Sequence, residues 1–340
     1  MDKRGLLDLI IARIPGLSYR EKISLCENFD GEEDFIREGT VSGINALIGR
    51  ELVGALNIKL NIKLNIDQIR IQAERDARTA RARDIHWLSW NDAAYPPLLR
   101  EIYDPPVLLF YRGSLPDPEK PLAAIVGTRH PSPRAAAQAY DFGRDLGRMG
   151  ISVVSGLALG IDSMAHRGSL EGGSPTFAVL GSGLDEIYPR TNRLLARRIL
   201  ETGGGLVSEY PPGTPPYKGN FPARNRIISG MARGVVIVEA PESSGALITA
   251  RFAIDQNRDI WVGSVGAGES SDHRFRFDRR GSINLADNGA KVIRSAVEIP
   301  KEWNIEIPAC ESVDDLRGSD SNDTGKALAE SLARSINMEL

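Results

Sequence analysis

The 340-residue chain has few of the residues that cross-link a fold or ligate metal. Its two cysteines, Cys26 and Cys310, and its four scattered histidines, His86, His130, His166 and His273, build neither a disulfide framework nor a structural zinc cage. No apolar run approaches the ~20 residues of a membrane span. The opening MDKRGLLDLIIARIPG has too short an apolar stretch, and no small-residue cleavage site, for a signal peptide. Enzyme signatures are also missing. Gly181-Ser182-Gly183 lacks the third glycine of a dinucleotide fingerprint, and neither a Walker A sequence nor a G-x-S-x-G elbow occurs. His166 has no paired nucleophile or orienting acid in the sequence, which favours a structural or helix-end role. These absences predict a soluble, cytoplasmic protein of a reducing compartment, with no membrane association, metal or cofactor. Charge of one sign is lacking too: 42 Lys and Arg meet 45 Asp and Glu, a net of −3.

Hydrophobic residues at 41% and charged ones at 26% describe an ordinary globular chain, long enough for two or three domains. Residues 1–80 read as a small helical domain, with Leu6, Leu9, Ile10 and Ile14 at helical spacing before Pro15-Gly16. LNIKLNIKLNI, 56–66, fits a four-residue repeat and a strand equally well. Between Asp67 and Arg83, five arginines against Glu74 and Asp76 predict a solvated helix. Residues 81–120 read as a connector with a strand-like run at Val107–Tyr111.

From 121 to 300 short apolar runs recur: LAAIV at 122–126, ISVVS at 151–155, TFAVL at 176–180, GLVSE at 205–209, VVIVE at 235–239, DIWVG at 259–263 and KVI at 291–293. Helix-like stretches such as 135–149, 192–200 and 247–256 separate them. Continuous apolar strands alternating with helices predict an α/β fold, a doubly wound and mostly parallel sheet covered on both faces. The last zone, 301–340, sets four cations against nine acids and is polar between Glu311 and Gly325, which predicts a partly disordered acidic tail. Leu328, Leu332, Ile336 and Leu340 recur every four residues there, as in an amphipathic helix.

Ligands of open α/β sheets bind beyond the carboxyl ends of the strands. Here those ends read Gly127-Thr128-Arg129, then Gly156 through Gly160 to Asp162, then Gly181-Ser182-Gly183. Glycines are ordinary in such turns, but three on one edge, with Arg129 in the first, favour an anion site. Between the fourth and fifth strands lies YPPGTPPYKGNFPARNRIISG, 210–230, whose five prolines stiffen a basic loop carrying Lys218, Phe221, Arg224 and Arg226. Residues 190–234 hold eight cations against Glu201 and Glu209, a net of +6. Such a loop suits single-stranded nucleic acid, whose phosphates take Arg or Lys and whose bases take an aromatic face. The competing reading places Phe221 in the core and pairs the arginines with carboxylates such as Glu239.

The chain from about Tyr95 to Ile293 also resembles the DNA-processing protein A family (DprA/Smf). The matching stretches are AAIVGTR at 123–129, VVSGLALGIDSMAHRGSL at 153–170, AVLGSGLDEIYPRTNRLL at 178–195, PPGTPP at 211–216, NFPARNRIISG at 220–230 and ESSGALITAR at 242–251. The resemblance implies an extended Rossmann fold behind a sterile-alpha-motif-like N-terminal domain. It also implies a non-catalytic homodimer that binds single-stranded DNA and loads the RecA recombinase onto it during natural transformation, in competence, and in homologous recombination. Gly127, Thr128 and Arg129 are then expected to grip a phosphate, and Lys218, Phe221, Arg224 and Asn225 to supply a cation, a stacking face and polar contacts. Ser155, Gly156 and Gly160 are expected where the backbone closes on the strand. The chain departs from the family after the sixth strand, reading Gly263-Ser-Val-Gly266 and Gly281-Ser-Ile-Asn-Leu-Ala286, with HRFRFDRR at 273–280 between them. It also ends in this acidic tail, where many members carry a winged helix. The alternative function is a nucleotide or phosphoribosyl hydrolase with Glu239 as acid or base. A further reading makes the tail a protein-interaction element.

Overall fold

The computed structural model describes residues 3–32, 34–35, 41–49, 66–268 and 277–306. The 56–66 repeat up to Asn65, residues 273–276 of the Arg-rich insertion and the tail from 307 lie outside the described residues. The chain divides into two units, 1–112 with 181–186 and 207–216, and the remainder.

In the first unit the helical periodicity becomes α1 (Lys3–Arg13), α2 (Tyr19–Asn28), α3 (Val41–Ile48) and α4 (Ile66–Ala82). Helix α2 starts at a capping box. The Ser18 hydroxyl accepts from the Glu21 amide, and the Glu21 carboxylate accepts from the Ser18 amide at 2.7 Å. The Arg-rich helix is α4, but one face of it is covered: Ala73, Asp76, Ala77 and Ala80 are buried. Asp76 can be buried there because Arg13 of α1 pairs with it, Nη2 to Oδ1 at 2.7 Å. Burial still pushes the Asp76 carboxyl up, against the pull of Arg13. The connector holds an antiparallel pair, β1 (His86–Ser89) and β2 (Leu108–Gly113), with Trp87 opposite Phe110. A four-residue helix, α5 (Pro97–Arg100), lies between them, and the buried Tyr95 donates its hydroxyl to Pro106 O at 2.8 Å.

Each of the seven apolar runs of the second zone is a strand: β3 (Leu122–Val126), β4 (Ser152–Ser155), β5 (Thr176–Leu180), β6 (Gly205–Ser208), β7 (Gly234–Ile237), β8 (Asp259–Gly263) and β9 (Lys291–Ile293). They follow the order β6-β5-β4-β3-β7-β8-β9. The β5-β4, β4-β3, β3-β7, β7-β8 and β8-β9 pairs are parallel. Every residue of β3, β4, β5 and β7 is buried, as expected for strands covered on both faces.

The covering helices are α6 (Pro133–Arg148), α7 (Ile161–Glu171), α8 (Arg193–Glu201), α9 (Asn220–Met231), α10 (Gly245–Asp255), α11 (Arg280–Asp287) and α12 (Glu298–Glu302). Helix α6 opens with Ser132 as cap and Pro133 in the first turn, where proline removes no hydrogen bond. Its Ala135, Ala139, Phe142 and Leu146 pack into one core with Ile125, Val153, Met164, Val236 and Trp261. Full burial of Phe142 or Leu146 contributes roughly 1.5–3 kcal/mol each. Among the described residues no helix is long and apolar enough to cross a membrane.

The segment expected as a stiff basic loop is non-helical up to Gly219 and continues as α9 from Asn220. Four of its five prolines precede the helix, and the fifth, Pro222, sits in the first turn, where an amide has no partner to lose. The buried residues Arg224, Ile227, Ile228 and Met231 then repeat at helical spacing.

Candidate functional site

The strand order reverses at β3. From it the chain runs outward through β4, β5 and β6, and then returns to β7 on the opposite side. That neighbouring pair, in register from Ala123–Gly234 to Val126–Ile237, is the topological switch point, where the connections diverge and leave a crevice. A cavity of about 500 Å³ opens there, lined by Val126 to His130 at the end of β3, Pro241 and Ser243 to Ala246 after β7, and Lys218, Phe221, Pro222, Arg224, Asn225 and Ile228 around α9.

The two arginines expected at this site have different fates. Arg129 is exposed, with its guanidinium carbon 5.7 Å from the centre of the Phe221 ring. Arg224 is 5% exposed, and its Nη1 donates to Gly156 O at 2.9 Å and to Val179 O. It joins α9 to the ends of β4 and β5 and forms part of the cavity wall. Lys218 is exposed one residue before the helix cap, and Phe221 and Asn225 are half-buried. Asn225 Nδ2 donates to Gly245 O at 3.0 Å, tying α9 to the start of α10.

The glycine turns contribute unequally. Gly127, Thr128 and Arg129 line the cavity, but the Thr128 amide already donates to Glu239 O at 2.8 Å, and its hydroxyl accepts from the His130 amide. The second turn contributes Ala158 and Asp162 to the lining, whereas Ser155, Gly156 and Gly160 are not lining residues. Ser155 is buried and donates its hydroxyl to Ile125 O at 2.6 Å. A Cβ on Gly156 would meet the Arg224 guanidinium at 2.5 Å, and one on Gly160 would meet Thr128 O at 2.5 Å. These two glycines make room for protein groups. The third turn is held by its own neighbours, Gly183 N donating to Thr214 O at 2.9 Å and Ser208 Oγ to Ser182 O at 2.7 Å.

The first turn of α7 is tied to its neighbours as well. Ile161 N donates to Thr128 O, and Asp162 accepts from Gly156 N at 3.1 Å. Burial pushes the Asp162 carboxyl up, against the attraction of Arg224. His166, fully buried on α7, is lowered to about 3 by burial and then by Arg224, and so stays neutral. Its role is structural. Glu239, at the end of β7, is 1% exposed and accepts from Ser132 N at 2.6 Å, Ser132 Oγ at 3.0 Å and Arg279 Nε at 2.9 Å. In the divergent region after β8, the buried Ser282 donates through Oγ to Gly266 O at 2.8 Å.

Of the eight cations in the +6 segment, only Lys218 and Arg224 line the cavity. Arg197 pairs with Glu201 at 2.7 Å, Arg226 donates to Ala223 O at 3.2 Å, and Arg233 lies over Trp303. The cavity is also lined by Tyr188, whose ring centre is 5.5 Å from that of Phe221, and by Ser243 and Ser244 before α10, none of which stands out by residue type in the sequence. The only sequence signal for them was their place inside the matching stretches at 178–195 and 242–251.

Comparison with known proteins agrees with this architecture. Protein Smf of Synechocystis is 45% identical over 213 residues, 62% of this chain and about half, 52%, of its own length. DNA processing protein DprA of Streptococcus pneumoniae is 41% identical over 214 residues, 62% of this chain and 72% of that protein. The solved structure of the S. pneumoniae protein superposes with a TM-score of 0.67 at 31% identity, covering 91% of this chain and 99% of that one. A solved DNA processing protein A from Helicobacter pylori, characterised for its mode of single-stranded DNA binding, gives 0.54 at 27% identity, covering 65% and 95%. The family model for DNA recombination-mediator protein A matches residues 86–304, well over half of the chain and all of the parallel sheet, and the chain therefore belongs to that family.

Proposed function

We propose that this chain binds single-stranded DNA in the cavity at the β3–β7 switch point, without catalysis, and as a homodimer loads RecA recombinase onto that strand in natural transformation and recombination. The observation that carries the binding step is the pairing of two exposed cations with an aromatic face: Arg129 and Lys218 line the same cavity as Phe221. Mobile phosphates are met by exposed guanidinium and ammonium groups, and unstacked bases by the ring. Family membership and the DNA-binding H. pylori relative support the same reading of the cavity, and RecA loading and dimerisation rest on what the sequence resemblance implies. The hydrolase alternative needs Glu239 free to exchange a proton with substrate. Both of its oxygens already accept hydrogen bonds from Ser132 and Arg279.

Fluorescence anisotropy with labelled oligo-dT between 50 and 200 mM salt tests the binding step. Arg129→Ala weakens binding and lowers the slope of log K against log salt by about 0.7, one phosphate contact on a single strand. Equal affinity and slope for wild type, Arg129→Ala and Lys218→Ala would remove the site.

A further inference from the structure

Tyr188 is a cavity-lining aromatic that the binding scheme above leaves without a role. It is 42% exposed, and among the described residues its hydroxyl has no hydrogen-bond partner. Buried Tyr95 shows the contrast, since its hydroxyl is anchored on Pro106 O. Among the described residues the fold therefore makes no use of a hydroxyl at 188, and a large share of the ring is left in water.

The segment that carries it is nevertheless fixed in place. Four residues on, Asn192 is 4% exposed and donates through Nδ2 to Leu157 O at 2.9 Å. The ring is also positioned, with its centre 5.5 Å from that of Phe221 and the planes inclined by 36°. Phe221 is half-buried and already has Arg129 over its ring, so the more accessible π surface of the pair belongs to Tyr188.

We infer that Tyr188 is a nucleobase-contact residue: with Phe221 it forms a two-ring platform on which a base of the bound strand stacks, while Arg129 and Lys218 hold the flanking phosphates. The inference rests on the single-strand reading of the cavity and extends its base-stacking face from Phe221 to a second, more exposed ring. Every base has a π face, so such a platform tolerates any sequence.

The test uses two labelled single strands of equal length and phosphate number, oligo-dT and an abasic tetrahydrofuran oligomer. Tyr188→Leu, which keeps apolar bulk and removes the ring, weakens oligo-dT binding about ten-fold and abasic binding less than about two-fold. Tyr188→Phe stays within about two-fold of wild type on both strands, because the ring and not the hydroxyl does the binding. In Tyr188→Trp the added indole fluorescence is quenched by oligo-dT and not by the abasic strand, a readout that does not depend on the leucine variant's folding. The inference is overturned if Tyr188→Leu changes both affinities equally, or leaves oligo-dT binding intact, or if the indole signal ignores the bases. Failure of the underlying reading looks different: wild type then binds neither strand, or Arg129→Ala binds both as wild type does, and the platform falls with it.

Discussion

Gly160 connects the conformation of one turn to the geometry of the whole cavity, and replacing it with alanine tests that connection. Its backbone stands at φ 75° and ψ −127°, a region that side chains avoid. Forcing alanine there costs about 1–3 kcal/mol. The new Cβ would also sit 2.5 Å from Thr128 O, 2.6 Å from Arg129 O and 2.7 Å from Arg129 C. All three are backbone atoms with no rotamer to change, so relief requires moving the Thr128–Arg129 turn, at about 1–3 kcal/mol more. Together these cost on the order of 2–6 kcal/mol, a large part of the 5–15 kcal/mol typical of a folded protein. At 2–4 °C per kcal/mol this lowers the melting temperature by about 10 °C.

Gly173→Ala is the control. Its φ is 80°, but nothing lies within 4 Å of the added carbon. It should show only the left-handed penalty of about 1–2 kcal/mol, with DNA affinity unchanged. Urea unfolding followed by circular dichroism measures both variants, and oligo-dT anisotropy reads the displaced turn. If Gly160→Ala is no more destabilising than Gly173→Ala, the close approach to Thr128 and Arg129 is not what requires glycine at 160.

Three further outcomes follow from the buried polar groups. Thr176 donates its hydroxyl to Val153 O at 2.7 Å and so accepts from Nδ1 of His166, which leaves Nε2 a bare, neutral nitrogen. With the folded value at about 3 and the unfolded one near 6.5, the unfolded chain alone takes up a proton as pH falls through that window. Stability therefore drops by up to about 1.4 kcal/mol per pH unit below pH 6.5, and His166→Gln should flatten the slope between pH 6 and 5 in urea titrations. An unchanged slope contradicts the buried neutral assignment. Glu239→Gln keeps the shape but leaves Arg279, whose side chain is 14% exposed, without its counter-charge; a loss of about 3 kcal/mol in chemical denaturation is expected, and less than 1 argues against the pairing. Arg224→Ala strips Gly156 O and Val179 O of a buried donor and should cost about 3 kcal/mol, whereas exposed Arg129→Ala stays within about 0.5 in the same assay. Equal costs would mean that the two arginines do not divide into wall and binding surface.

What the sequence by itself determined is local. Seven continuous apolar runs separated by helical spacing are a parallel sheet covered on both faces, because only strands without a wet face can be apolar throughout. Gly127, Thr128 and Arg129 were legible as residues of the sheet's carboxyl edge, where the cavity opens, because they directly follow such a strand. The helix at 220–231 was hidden because prolines suggest loops, and they do so wherever an amide is needed; in the first turn of α9 none is. Strand order was not legible either. Whether β7 lies beside β3 or beyond β6 depends on contacts more than a hundred residues apart, and that choice creates the crevice. The same holds for the cations. Arg129 and Arg224 carry the same group in equally persuasive motifs, yet one faces water beside Phe221 and the other fills the space left by Gly156. A guanidinium bonds to whichever carbonyl, carboxylate or phosphate surrounds it, and those surroundings are set by the packing of β4, β5 and α9.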